Sequence, residues 1–85
     1  MVQTVTLDEV EAACANREFI VRDTLTICVV TMPNGFHVVG TSGCADPAKF
    51  NKEFGEKLAL DKAKDQVWML LGYVLKQKLH DEPSN

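Results

Sequence analysis

Residues 51–80 read NKEFGEKLALDKAKDQVWMLLGYVLKQKLH, and this stretch decides the fold of the chain. It contains no proline and is rich in Leu, Ala, Lys, Glu and Gln, the residue types with high helix propensity. Asn51 is a suitable N-cap, and Glu53 lies in the first turn, where the helix dipole favours an acidic side chain. The stretch therefore predicts one long helix over about residues 51–80.

The apolar side chains of this helix form a wide stripe. At about 100° per residue, the apolar residues fall within half of the circumference. They are Leu60, Ala63, Val67, Trp68, Leu70, Leu71, Val74 and Leu75. Such a stripe is wider than one small hairpin can cover, so we expect part of it to remain uncovered by the hairpin and available for contact with another chain.

The length of the helix points the same way. About 30 residues at 1.5 Å per residue give a rod of about 45 Å, whereas a compact domain of this size is about 30 Å across. The helix should overhang its own domain, bend at Gly55 or Gly72, or pack against another chain. We expect a homo-oligomer assembled through the helix. The predicted interface residues are Leu60, Val67, Leu70, Leu71 and Val74.

Two predicted strands precede the helix. Residues 24–32 are dense in β-branched side chains, and residues 36–42 return after a turn at Pro33-Asn34-Gly35. A two-residue loop would pair Pro33 with Phe36, whereas a three-residue loop with Gly35 in the left-handed region would pair Met32 with Phe36. We favour the second register because it gathers one apolar face. That face holds Cys28, Val30, Met32, Phe36 and Val38.

The opposite face of the hairpin is also half apolar. It carries Ile27, Val29, Thr31, His37, Val39 and Thr41. A two-stranded hairpin is barely stable alone, so one face should meet the long helix and the other needs the N-terminal helix or a second subunit. That N-terminal helix is predicted over about residues 7–15, with Thr6 as its N-cap. Phe19–Val21 is a brief extended candidate that Arg22-Asp23 interrupts.

The chain is expected to be one α+β domain over residues 1–85, with a flexible tail at 81–85. Its 85 residues are 46% apolar, and the net charge is −3. We find no basic face, so nucleic-acid binding is not expected. No apolar run approaches the roughly 20 residues needed to span a bilayer, and the N-terminus is acidic where a secretory signal would be basic. These features predict an intracellular protein without membrane partners.

No set of catalytic or metal-binding residues stands out. Cys14, Cys28 and Cys44 have no paired spacing, so we expect reduced thiols and no metal or cofactor. Ser42 or Cys44 would need a neighbouring histidine to act as a nucleophile, and His37 is predicted near the hairpin turn, away from Cys44. We therefore expect no enzyme. The candidate binding residues are Asn34, His37, Trp68, Met69 and Tyr73.

Several short motifs occur in the order found in one phage family. They include Thr26-Ile27-Cys28-Val29, Asn34-Gly35-Phe36, Gly40, Cys44-Ala45-Asp46-Pro47, Phe50-Asn51, Gly55, Trp68 and Gly72-Tyr73. With them the chain resembles the small "gene product forty-nine" family of tailed phages and prophages. That family usually has Pro-Leu-Glu after the tryptophan, whereas Met69-Leu70-Leu71 stands here. The helix of this chain should therefore run straighter.

The resemblance implies a phage accessory protein that acts in the cytoplasm of the bacterial host. Small accessory proteins of this kind often oppose host defences, which is an argument by analogy. Our leading hypothesis is a non-enzymatic homo-oligomer that binds a host protein. The alternative is an oligomeric sponge that sequesters a nucleotide immune signal between subunits, with Asn34, Trp68, Tyr73 and the lysines of the long helix as stacking and charge partners.

Overall fold

The computed structural model describes residues 4–82. Its elements, in chain order, are helix α1 (Leu7–Ala13), strands β1 (Arg17–Arg22), β2 (Leu25–Thr31) and β3 (His37–Gly43), a 3-10 turn (Pro47–Lys49) and helix α2 (Lys52–Asp81). The α+β fold is confirmed. A flexible tail was predicted over residues 81–85. Asp81 is the last residue of α2, and residues 83–85 lie outside the described residues.

The three strands form one antiparallel sheet in the order β1-β2-β3. The predicted three-residue loop joins β2 to β3: Val30 pairs with Val38, and Gly35 has a φ of 89°. The Met32 amide donates to the Phe36 carbonyl at 2.8 Å, and the Gly35 amide donates to the Met32 carbonyl at 2.8 Å. The favoured register is therefore confirmed.

Strand β1 makes the sheet larger than the predicted hairpin. Arg22-Asp23 does not interrupt an extended segment. Instead, Arg22 ends β1 opposite Leu25, and Asp23 begins a tight turn with a φ of 56°. Aspartate tolerates this left-handed conformation better than most residues. The Thr31 amide also donates to the Asn16 carbonyl at 2.9 Å, which continues the pairing just before β1.

Helix α2 lies directly on one face of the sheet, which we call the inner face. A Cβ atom at Gly40 would overlap the backbone of Ala59 and Ala63, so the helix backbone touches β3 at this point. The Gln66 side-chain amide donates to the Val39 carbonyl on the exposed edge of β3. The core beneath α2 consists of Val10, Ala13, Cys14, Cys28, Val30, Met32, Val38, Ala59, Ala63 and Val67.

Helix α1 packs beside α2 on the same side of the sheet. Val10 and Cys14 are fully buried in the shared core, and Glu11 forms an ion pair with Lys64 of α2 at 2.9 Å. Thr6 caps the helix through a reciprocal bond with Glu9. The sequence left two possible covers for the second face of the sheet, the N-terminal helix or a second subunit, and α1 packs on the inner face instead. Within residues 4–82, that outer face has no covering element.

The C-terminal part of α2 projects beyond the sheet. The described chain measures 61 × 22 × 17 Å, and Val67 is the last buried residue of α2. Beyond it the side chains are half-buried or exposed, as the overhang predicted from the helix length requires. Neither described helix combines the length and the apolar character of a membrane span.

Replacing Gly40 by alanine should disrupt the docking of α2. The added methyl group would collide with helix backbone, which cannot move aside as a flexible side chain can. We expect Gly40→Ala to lower the free energy of unfolding by about 3 kcal/mol or more. Chemical denaturation measures this value.

Gly72→Ala is the matched control, because a Cβ at Gly72 meets only open space. Alanine is the better helix former there, so stability should rise by up to about 1 kcal/mol. Equal effects of the two substitutions would show that α2 does not approach the sheet at Gly40.

Candidate functional site: an apolar groove beside the overhanging helix

An open groove of about 650 Å³ lies where α1, the β2–β3 turn and α2 meet. Its walls are mainly apolar. They include Ala12, Met32, Phe36, Leu70, Leu71 and Val74. We call this feature the α1–α2 groove.

Each wall of the groove follows from local sequence. Leu70, Leu71 and Val74 lie at spacings of one, three and four residues, so they share one side of α2. On the α1 side, the short side chains of Ala12 and Ala13 do not extend into the groove and so leave it open. The hairpin turn carries Phe36 out to the rim, where 55% of its surface is exposed. The groove is thus a continuation of the core that no described element fills.

The polar side chains at the groove are few, and two of them are already used locally. The Glu9 carboxylate accepts hydrogen bonds from the amide and the hydroxyl of Thr6, at 3.3 and 3.2 Å. Asn34 accepts a bond from the Phe36 amide at 3.0 Å. Tyr73 is the third polar residue, and it is 70% exposed. The described lining includes no Lys or Arg, so the groove suits an apolar ligand surface better than an anionic one.

The structure brings some of the predicted binding and interface residues together at this groove. Asn34 and Tyr73 line it, together with Leu70, Leu71 and Val74. These residues came from two separate predicted sets, one for ligand binding and one for oligomer contacts.

The other predicted residues lie elsewhere. Trp68 and Leu60 are half-buried against the core, and Val67 is fully buried within its own chain. Val67 therefore has no exposed surface for a second subunit. Met69 is 70% exposed but is not part of the groove lining. His37 lies on the outer face, where its Nδ1 is 3.0 Å from the Thr31 hydroxyl.

Six groove residues were not among the predicted site residues: Glu9, Ala12, Ala13, Met32, Pro33 and Phe36. Met32 and Phe36 were assigned to the apolar face of the hairpin. Their position on either side of the turn is the sequence feature that could have identified them as groove residues. A side chain next to a turn lies at the end of a sheet face, where core packing stops. Ala12 gave no signal, because its role depends on how α1 is placed.

Potential nucleophiles and bases are far apart. His37 begins β3 and Cys44 follows its end, so about seven residues at 3.3 Å per residue separate them by about 20 Å. Among residues 4–82, no group of three or more His, Cys, Asp or Glu side chains is arranged to hold a metal ion. Burial raises the pKa of the Cys14 and Cys28 thiols, which favours their neutral, unreactive form.

The three cysteines should differ in reactivity toward a thiol reagent. Cys14 and Cys28 are buried, whereas Cys44 is half-buried and its thiol donates to the Asp46 carbonyl at 3.2 Å. We expect Cys44 to react first in the native protein and the other two only on unfolding, as followed by mass spectrometry after alkylation. Cys44→Ser should then remove the fast phase. Fast labelling of Cys14 or Cys28 would contradict the described core.

Comparison with known proteins places the chain in a family. The model of the Phage protein (N4 Gp49/phage Sf6 gene 66) family matches residues 4–79. No curated protein and no solved structure matches the chain. Because the family match spans nearly the whole sequence, the chain belongs to the Phage protein (N4 Gp49/phage Sf6 gene 66) family.

Proposed function

We propose that this phage protein is a non-enzymatic accessory protein that binds a protein of the bacterial host in the host cytoplasm and thereby counters host defence. The α1–α2 groove is the proposed binding site. The observation that carries the proposal is the groove itself: an open apolar channel of about 650 Å³ at the base of a projecting helix. The link to host defence rests on analogy with other small phage proteins.

The shape and chemistry of the groove suit an apolar segment of a protein. Grooves between secondary-structure elements commonly receive the apolar face of a partner helix, with anchor side chains three or four residues apart. Leu70 and Val74 form such a row on one wall, and Met32 and Phe36 face it from the hairpin. A contiguous exposed apolar surface that is rimmed by polar groups commonly marks a site of protein interaction.

Tyr73 supplies the anchor at the rim. The residue is 70% exposed, and tyrosine is enriched among the residues that dominate binding energy at protein interfaces. A partner that covers the groove would bury this ring together with Val74, which is 61% exposed. Both side chains lie on the overhang of α2, so covering them requires no rearrangement of the core.

A nucleotide sponge is the second candidate, because Tyr73 offers a ring for base stacking and Asn34 lies in the same groove. Phosphate groups, however, are held by Arg, Lys or free backbone amides. No Lys or Arg belongs to the described lining, and Glu9 contributes negative charge. The balance therefore favours a protein ligand.

Capture from host lysate with paired variants tests the proposal. Tyr73→Ser removes a groove side chain, and Met69→Ser removes a side chain of equal exposure outside the groove lining. Both changes lie on α2 four residues apart and both introduce serine, and the control Met69→Ser is the one that lowers helix propensity slightly more. We expect Tyr73→Ser to weaken capture of a specific host protein by about tenfold or more. Met69→Ser should leave capture intact.

The melting temperatures of both variants should stay within about 2 °C of the parent, because neither side chain belongs to the core. Equal capture by the two variants would contradict the assignment of the groove. A rise of several degrees in melting temperature with a cyclic or linear nucleotide, lost in Tyr73→Ser, would instead support the sponge.

A further inference from the structure

The outer face of the sheet carries an unusual amount of apolar surface. Pairing across the three strands puts its side chains in rows: Glu18–Val29–Val39, Ile20–Ile27–Thr41 and Arg22–Leu25–Gly43. Antiparallel sheets that face water on one side normally place polar residues there. Here five apolar residues lie side by side in the middle, and charged residues stand only at the β1 margin. Both helices pack on the inner face.

We propose that a second copy of this chain packs face to face onto this outer surface. The two copies are related by a two-fold axis that runs across the strands along the row Ile20–Ile27–Thr41. Isologous contacts of this type are the commonest way in which identical chains assemble. The proposal does not depend on the function proposed above, because the α1–α2 groove is formed by other elements and stays open.

The register of the sheet makes this surface self-complementary. A two-fold axis along the central row reverses the strand direction in the second copy. The row Glu18–Val29–Val39 of one copy therefore meets the row Arg22–Leu25–Gly43 of the other. Val29 then faces Leu25 of the second copy, and Ile20 and Ile27 each face their own equivalents. Val39 faces Gly43, whose lack of a side chain leaves room for it. In these three rows the apolar residues therefore meet apolar or small residues, and Thr41 faces its own equivalent. Thr31 and His37 form a fourth, polar row at the end of the face.

The charges complement each other under the same symmetry. Glu18 and Arg22 lie on the outer face of β1 at opposite ends of the contact, four residues apart. At 3.3 Å per residue they are about 13 Å apart, too far for an ion pair within one strand. The two-fold axis brings Glu18 of each copy opposite Arg22 of the other. This arrangement gives two ion pairs and no like-charge contact.

The edges of the sheet are poorly suited to self-association. Edge strands in native proteins are protected by charged side chains or by covering groups. Strand β1 carries Arg17, Glu18 and Arg22, and the Val39 carbonyl of β3 already accepts a bond from Gln66. Continuation of the sheet from copy to copy is therefore disfavoured, and the outer face remains as the contact surface.

The contact is small. Three strands about 4.8 Å apart and six or seven residues long give a face of about 14 by 20 Å, below the size of a standard stable interface. We expect a dimer with a dissociation constant in the micromolar range, about 1–100 μM. Since the charge pairs lie at the margin of the contact, added salt should weaken the dimer.

Charge reversal gives a direct test by sedimentation equilibrium of the full chain. Glu18→Arg and Arg22→Glu should each weaken dimerisation about tenfold, because each places like charges opposite one another. An equimolar mixture of the two variants should form a heterodimer, and the double variant Glu18→Arg/Arg22→Glu should recover the parental association. Lys62→Glu, an equal charge reversal on the exposed side of α2, should have no effect.

Recovery in the mixture and in the double variant would establish contact between residues 18 and 22 of different copies. A parent chain that stays monomeric at about 500 μM would overturn the proposal. An oligomer that is indifferent to both reversals would also overturn it, since the copies would then meet through another surface such as the overhang of α2. Because host-protein capture is measured separately with Tyr73→Ser, the dimer and the groove can fail independently.

Discussion

The whole structure depends on the close approach of α2 to the sheet at Gly40. With no side chain at Gly40, and only methyl groups at Ala59 and Ala63, the helix backbone rests directly on β3. This contact decides which face of the sheet is the inner one and where the helix begins to project. It also places Lys64 beside α1, where it pairs with Glu11, and the buried side chains of Val10 and Cys14 anchor the short helix in the core. A helix of seven residues would not persist without such docking.

The core lies almost entirely between the helices and the inner face of the sheet, which leaves much of the chain surface available for contacts with other molecules. The fully buried residues of α2 end at Val67, and Trp68, Leu70 and Leu71 are the last side chains that pack against the core. Roughly the last three turns of the helix therefore lie beyond the core. One side of that overhang becomes a wall of the α1–α2 groove. On the other side of the molecule, the outer face of the sheet stays uncovered because both helices share the inner face. A member of the phage family with so small a core thus offers two separate apolar surfaces on opposite sides of its sheet.

Sequence reasoning succeeded where one local rule dominates. Helix propensity and capping identified α2, and the requirement for a left-handed residue at Gly35 selected the hairpin register. It recognised only Phe19–Val21 of β1 and did not add this segment to the sheet, because Arg22-Asp23 resembles an interruption unless one knows that Asp23 adopts a positive φ. Val67 and Val74 occupy nearly the same angular position on the helix, yet one is buried and the other lines the groove. Periodicity gives the direction of a side chain but not the point at which the sheet ends, and the groove needs three elements to converge.

Hydrogen exchange of the backbone amides of α2, resolved by residue, tests the central claim most directly. If the helix is held only where it crosses the sheet, amides from Glu56 to Val67 should be strongly protected and those from Tyr73 to His80 should exchange much faster. Such a boundary would show that the overhang has no tertiary support of its own. Uniform protection along α2 at dilute concentration would contradict the account, because the overhang would then have to be packed against protein surface that the described fold does not supply.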